Sequence, residues 1–282
     1  MRRFAACGAL VVCVALSATA ATARPQTPPS IQRAAYAATI AAAVAKGTET
    51  VPGLGQVTGS LRNLVLLGFG FELLREGTLN LTRIGPPKNG RLQMSLANFD
   101  PKPARASLLL LLLSAAVPAK VKLVHFFFTL AAKEVKTIVK RCAAGSYPTT
   151  AFFDLGSPYV ELRSWHPVSP NGWEIELKNL HPTDPVQPSF DLNCVSGLKV
   201  VYGAGEPTKI AGSVGGKPSF GDAESGPCPR GLRLAGGGFE TQPGVQVTSL
   251  VPTGNKVRGG FSSFGGDFQY PKVYRVCVGF RF

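Results

Sequence analysis

The chain reads as all-β: three tandem antiparallel repeats of about 85 residues, in a pseudo-threefold arrangement closed by an N-terminal strand. Three observations predict this. Gly68-Phe69-Gly70-Phe71-Glu72 returns 168 residues later as Gly236-Gly237-Gly238-Phe239-Glu240. Asn89-Gly90, Asn171-Gly172 and Asn255-Lys256 each lie between two alternating apolar/polar segments, and Asn-Gly in that setting is a strong hairpin signal. Cys142 and Cys194 stand 52 residues apart, and Cys228 and Cys277 stand 49 apart.

Residues 1–23 have the order of a secretory signal: Arg2 and Arg3, an apolar run from Phe4 to Ala18, then Ala21-Thr22-Ala23. Cleavage is expected after Ala23, which removes Cys7 and Cys13. Residues 24–32 form a linker. Repeat 1 spans 33–116 and has no cysteines; the equivalent positions fall near Ser60 and Leu112. Its opening segment, Ala34 to Gly47, is alanine-rich and helical by propensity. Repeat register instead makes it a strand that supplies what the C-terminus lacks, closing the ring and removing exposed sheet edges.

The six leucines from Leu108 to Leu113 and the run from Val121 to Ala132 suggest a membrane span. Pro118, Lys120 and Lys122 interrupt them, and neither piece reaches the roughly 20 residues a spanning helix needs. In register the leucines are the closing strand of repeat 1, buried on both faces. Repeat 2 (117–196) carries the aromatic pair Phe152-Phe153 and a hairpin turning at Pro170-Asn171-Gly172. Repeat 3 (197–282) carries the glycine triplet, expected to mark a close backbone approach between strands.

Export leaves four cysteines, an even number that argues for two disulfides but permits three connectivities. The repeat assigns Cys142–Cys194 and Cys228–Cys277, each tying the ends of one unit.

Cys228-Pro229-Arg230-Gly231, Gly236 to Gly238, the Asn turn and Tyr274-Arg275-Val276-Cys277 resemble a module of secreted actinobacterial proteins built from repeated C-P-x-G, G-G-G, N-G and V-C elements. Gly197 to Gly216 resembles their linking strand. The middle copy lacks the proline and the triplet, and the first lacks both cysteines. The resemblance implies export and β structure and carries over no functional residue, since most such proteins have no assigned activity.

The expected mature chain has 28 basic and 16 acidic residues, a formal +12 that attracts anionic envelope polymers. The basic residues are scattered, so no specific nucleic acid is implied. Gly236 to Gly238 fit neither a P-loop nor a dinucleotide fingerprint, and neither H-E-x-x-H nor G-x-S-x-G occurs. His125, His166 and His181 share no metal-ligand spacing, and no C-x-x-C is present. Glu174 and Glu176 alternate on one strand face as a candidate carboxylate pair. No catalytic residue, metal or cofactor is assigned. Trp165 and Trp173 flank the middle hairpin with Tyr159 and His166 nearby, which makes these four the candidate glycan-binding residues. Cross-strand aromatic packing is the structural alternative. The expectation is therefore a secreted or extracellular, wall-associated binding or structural protein for an anionic or glycan polymer. A secreted hydrolase with its site between repeats, or a membrane-associated protein, is the alternative.

Overall fold

The computed structural model describes residues 31–40, 44–46, 49–51, 53–61, 64–73, 79–113 and 119–280. The expected signal peptide, its cleavage point, Cys7, Cys13 and most of the 24–32 linker lie outside them. All regular structure among the described residues is strand. Repeat 1 contains β1 (Ile31–Ile40), a small β2–β3 pair (Val44–Lys46, Glu49–Val51), β4 (Gly53–Ser60), β5 (Val65–Leu73), β6 (Leu79–Lys88), β7 (Arg91–Asn98) and β8 (Ala104–Leu113). Repeat 2 follows with β9 (Lys120–Phe127), β10 (Val135–Arg141), β11 (Tyr147–Asp154), β12 (Val160–Val168), β13 (Gly172–Asn179) and β14 (Ser189–Ser196). Repeat 3 has β15 (Leu198–Ala204), β16 (Ser219–Glu224), β17 (Arg233–Glu240), β18 (Val245–Thr253), β19 (Lys256–Ser263) and β20 (Lys272–Phe280). Strand β1 begins at Ile31, two residues inside the expected linker, and the alanine-rich segment is extended through Ile40.

Three six-stranded antiparallel sheets result, in the orders β1-β8-β5-β18-β19-β16, β10-β13-β12-β17-β20-β15 and β4-β7-β6-β11-β14-β9. Each takes three strands from one repeat and three from another. The seams are equivalent: Phe71-Glu72 against Leu250-Ser249, Phe153-Asp154 against Ile84-Arg83, and Phe239-Glu240 against Trp165-Ser164. The ring therefore closes through the pairing of β5 with β18. Apart from the small β2–β3 pair, no sheet among the described residues is built from a single repeat.

Bulges obey the same symmetry. Leu67, Thr149 and Ala235 are skipped where β5, β11 and β17 pair with the closing strands, at intervals of 82 and 86 residues. At these bulges the glycine strands approach one another. A Cβ on Gly68 would lie 2.3 Å from the Ala235 carbonyl oxygen, and one on Gly236 would lie 2.4 Å from that of Thr149. Gly238 meets the Trp165 carbonyl oxygen at 2.3 Å in the same sense. The glycine run is thus a steric requirement, because the obstacles are backbone atoms already fixed in sheets. Gly236→Ala is expected to cost about 1–3 kcal/mol as overpacking. Urea denaturation would read this as a lower midpoint, and an unchanged midpoint would refute the close approach.

Strand β8 lies between β1 and β5 with Leu108, Leu110, Leu111, Leu112 and Leu113 buried, so the leucine run is a core strand. Ring closure does not remove every edge, contrary to expectation: β1, β4, β9, β10, β15 and β16 each end a sheet. They are handled in pairs, each repeat laying its two edge strands near one another where two sheets meet. In repeat 1 the Tyr36 hydroxyl donates to the Ser60 carbonyl at 2.9 Å. In repeat 3 the chain after β15 presses on β16, where a Cβ on Gly205 would fall 1.7 Å from the Glu224 oxygen. In repeat 2 side chains bridge the gap, with the Lys140 ammonium 5.4 Å from the Phe126 ring.

Both expected disulfides are present, with Cα–Cα separations of 5.7 Å for Cys142–Cys194 and 5.8 Å for Cys228–Cys277. The Cys142 and Cys228 amides donate to the Asn171 and Asn255 carbonyls, and Leu61 donates to Gly90 in the same way. The repeat 1 equivalent is therefore Leu61, one residue beyond the expected Ser60. It is matched by Leu112, which lies at the register position of Cys194 and Cys277.

Candidate functional site

The three repeats enclose a pocket of about 280 Å³ whose lining comes in equivalent triplets, so it lies on the pseudo-threefold axis. Asn80, Glu161 and Gln246 are one triplet, each on the first turn-proximal part of β6, β12 or β18. Leu81, Leu162 and Val247 follow them in sequence. The third triplet is Phe99, Leu180 and Phe264, the residue directly after β7, β13 and β19. Leu180 and Phe264 are exposed and mark the mouth, while Val160 and Val245 are buried deeper in.

Local sequence explains why the third triplet points there. The Asn98 and Asn179 side chains close β7 and β13 by donating to the carbonyls of Lys102 and Asp184, at 2.9 and 2.8 Å. These bonds turn the chain sharply and leave Phe99 and Leu180 at the axis. The polar triplet is linked across repeats. Gln246 Nε2 donates to Asn80 Oδ1 at 2.7 Å, and Asn80 Nδ2 donates to the Pro158 carbonyl at 3.1 Å. Glu161 accepts from the buried Arg163 Nε at 3.0 Å. The pocket is an apolar cup with an ordered set of amide and carboxylate groups.

Among the residues expected to bind glycan, the structure separates what the sequence grouped. Trp165 and Trp173 are both 0% exposed and meet edge to face at 4.9 Å. Trp165 also contacts Phe69, Phe153 and Phe239, and its Nε1 donates to the Ala151 carbonyl at 2.9 Å. Neither indole offers a face to solvent, so the expected aromatic platform does not exist at these two positions. The reason is positional: both point inward, Trp165 from β12 at the seam with β17 and Trp173 from the neighbouring strand β13. Tyr159 is exposed and lies beside the axial pocket, its ring 6.1 Å from Phe99.

His166 is buried on the other face of β12 and belongs to a different cluster. Its ring stacks on Tyr274 at 4.0 Å, and Nε2 lies 3.3 Å from Glu174 Oε1, too poorly aligned for a hydrogen bond. The Tyr274 hydroxyl donates to Glu240 at 2.6 Å. Burial first, then that bond and the charges of Glu240 and Glu174, push the Tyr274 hydroxyl above the ordinary phenol range, so it remains a donor at neutral pH. Glu176 is held apart from this group, accepting from Thr137 at 3.0 Å. His125 pairs with Asp191 at 3.0 Å, and His181 with Asp184 at 3.6 Å. No cluster of three or more metal-ligating side chains occurs among the described residues.

Comparison with known proteins finds no family model that matches the chain and no curated protein that matches it. The two disulfides are compatible with an exported protein, and no helix among the described residues is long and apolar enough to cross a membrane.

Proposed function

We propose that this is an exported, non-enzymatic binding protein of the extracellular space or cell envelope, whose axial pocket takes a terminal sugar ring of a glycan. The observation that carries the reading is the composition of that pocket. Phe99, Leu180 and Phe264 offer apolar surface at the mouth, and Asn80, Glu161 and Gln246 offer hydrogen-bonding groups around the same axis. A sugar ring has the matching duality, apolar C–H faces and a rim of hydroxyls. A purely apolar ligand would strip water from the amides and the carboxylate without replacing its hydrogen bonds, which is unfavourable. The resemblance of repeat 3 to secreted modules and the basic net charge are consistent with a place at an anionic envelope.

Phe264→Ala tests this without disturbing the core, because the ring is half exposed. Titration against a panel of wall-derived saccharides is expected to show binding weakened about tenfold, the scale of losing a contact worth about 1.4 kcal/mol. Affinity indifferent to Phe264 would remove the pocket from consideration.

A second reading, a secreted hydrolase, has one observation in its favour. His166, Glu174, Tyr274 and Glu240 are gathered on strands of repeats 2 and 3, a site assembled between repeats. Glycan turnover abolished by Glu174→Gln would replace the binding reading with this one.

A further inference from the structure

Each seam between repeats carries an acid at the same register position: Asp154 where β11 meets β6, Glu240 where β17 meets β12, and Glu72 where β5 meets β18. Two of the seams supply a guanidinium of their own. Arg83 is the register partner of Asp154 and pairs with it at 3.4 Å. At the second seam the arginine stands one residue earlier, at the bulge of β12. There Arg163 pairs with Glu161 at 3.0 Å and with Glu176 at 3.9 Å, while Glu240 accepts from the Tyr274 hydroxyl. At the third seam the same two positions are Ser249 and the bulge residue Thr248. Neither is an arginine, and Glu72 makes no ion pair or side-chain hydrogen bond among the described residues.

A pocket of about 410 Å³ opens at this third seam, across β5, β18, β19 and β16. Glu72, Thr248 and Ser249 line one side, and Asp222 and the exposed Phe220 line the other. Gly260 lies between them. A Cβ there would fall 2.6 Å from Ser249 Oγ, 3.0 Å from Thr248 Oγ1 and 3.5 Å from Asp222 Oδ1. Three oxygens thus converge on a point that glycine leaves open, whereas the corresponding residues at the other seams are Ser95 and Glu176. Arg258 donates to Asp222 Oδ2 and Lys256 to Glu224, so Glu72 is the unbalanced charge of the lining.

We propose that this pocket binds a guanidinium group on an apolar stem, in place of the arginine that the two sister seams supply for themselves. Its acceptors are spread over two carboxylates and two hydroxyls, which suits a planar cation with five donors better than a compact ammonium. Phe220 offers an aromatic face to the stem or to the cation. Glu72 and Asp222 repel an anion, and a neutral hydroxylated ligand would leave the Glu72 charge unpaired. None of these residues lines the axial pocket, so the proposal stands independently of saccharide binding.

Titration of the full chain with N-acetyl-arginine amide and with agmatine, followed by NMR chemical shifts, tests it. N-acetyl-lysine amide is the control. Saturable binding of a guanidinium probe is expected, with the lysine amide at least severalfold weaker. Glu72→Gln should weaken binding about tenfold, the scale of losing one charge-assisted hydrogen bond. Ser249→Arg, which copies Arg83 into this seam, should abolish binding while the melting temperature is kept or raised. Phe264→Ala, at the axial pocket, should leave guanidinium binding unchanged. Uptake of the arginine amide alone would assign an arginine side chain of a peptide, and uptake of agmatine alone would assign a free guanidine. No saturable binding of either probe would overturn the proposal. So would binding indifferent to both Glu72→Gln and Ser249→Arg, or a lysine amide bound as tightly as the arginine amide.

Discussion

Trp165→Ala is expected to lower the stability of the fold by about 3–5 kcal/mol, the range for emptying a fully buried tryptophan site. The indole sits at the seam between repeats 2 and 3, where Trp165 pairs with Phe239, and it touches Phe69 of repeat 1 as well. One side chain therefore contacts aromatic residues of all three repeats, and its loss opens a cavity that no single repeat can collapse into. The bonded neighbour makes the comparison sharper. Trp165 Nε1 donates to the Ala151 carbonyl, while Trp173 Nε1 has no acceptor among the described residues. Trp165→Phe should then cost more than Trp173→Phe, because the first leaves a buried carbonyl without its donor and the second removes a donor that had no partner. Chemical denaturation of the three variants would measure this. Equal losses for the two phenylalanine variants would mean that the hydrogen bond contributes nothing, and a Trp165→Ala loss under 1 kcal/mol would mean the seam is not a cooperative core.

Repeat self-similarity made most of the fold legible. The Gly-x-Gly-Phe-Glu motif of repeats 1 and 3 marks the strands that converge on the axis. Asn89 and Gly90 both take positive φ, 51° and 68°, as a tight hairpin turn requires, whereas Asn171 and Gly172 do not and Gly172 already belongs to β13. Register outweighed propensity at the alanine-rich segment because β1 gains a full ladder with β8, from Ile31 against Leu113 to Ile40 against Ala104. What the sequence did not disclose is that each repeat divides itself between two sheets. Local alternation specifies which face of a strand is buried, but not which strand of another repeat lies beside it. The candidate site was obscured for a related reason. Trp165 and Trp173 drew attention by residue type, whereas Phe99, Leu180 and Phe264 follow Asn98, Asn179 and Ser263 and differ in chemistry from copy to copy. Their shared position, 81 and 84 residues apart, was the available signal.

The three repeats also carry an internal control for what a disulfide does. Replacing Cys142 and Cys194 by alanine is expected to destabilise the protein by about 4 kcal/mol, the loop-entropy value for closing some 50 residues. In repeat 1 the same two positions hold Leu61 and Leu112, both buried, and the Leu61 amide keeps the bond to the following hairpin that Cys142 makes in repeat 2. Backbone geometry at the site is therefore held by that hairpin hydrogen bond whether or not a cross-link is present. If so, Cys142→Leu with Cys194→Leu should recover part of the loss, because leucines restore the apolar contact and leave only the chain-entropy contribution missing. Thermal and urea unfolding of the alanine and leucine pairs would separate the two contributions. A leucine pair no better than the alanine pair would show that the packing in repeat 1 depends on its own neighbours, chiefly the buried leucines of β8, and does not transfer between copies. Recovery to within about 1 kcal/mol of the parent chain would instead show that packing dominates at this position, and that the cross-link contributes far less than the entropy model assigns to a loop of this length.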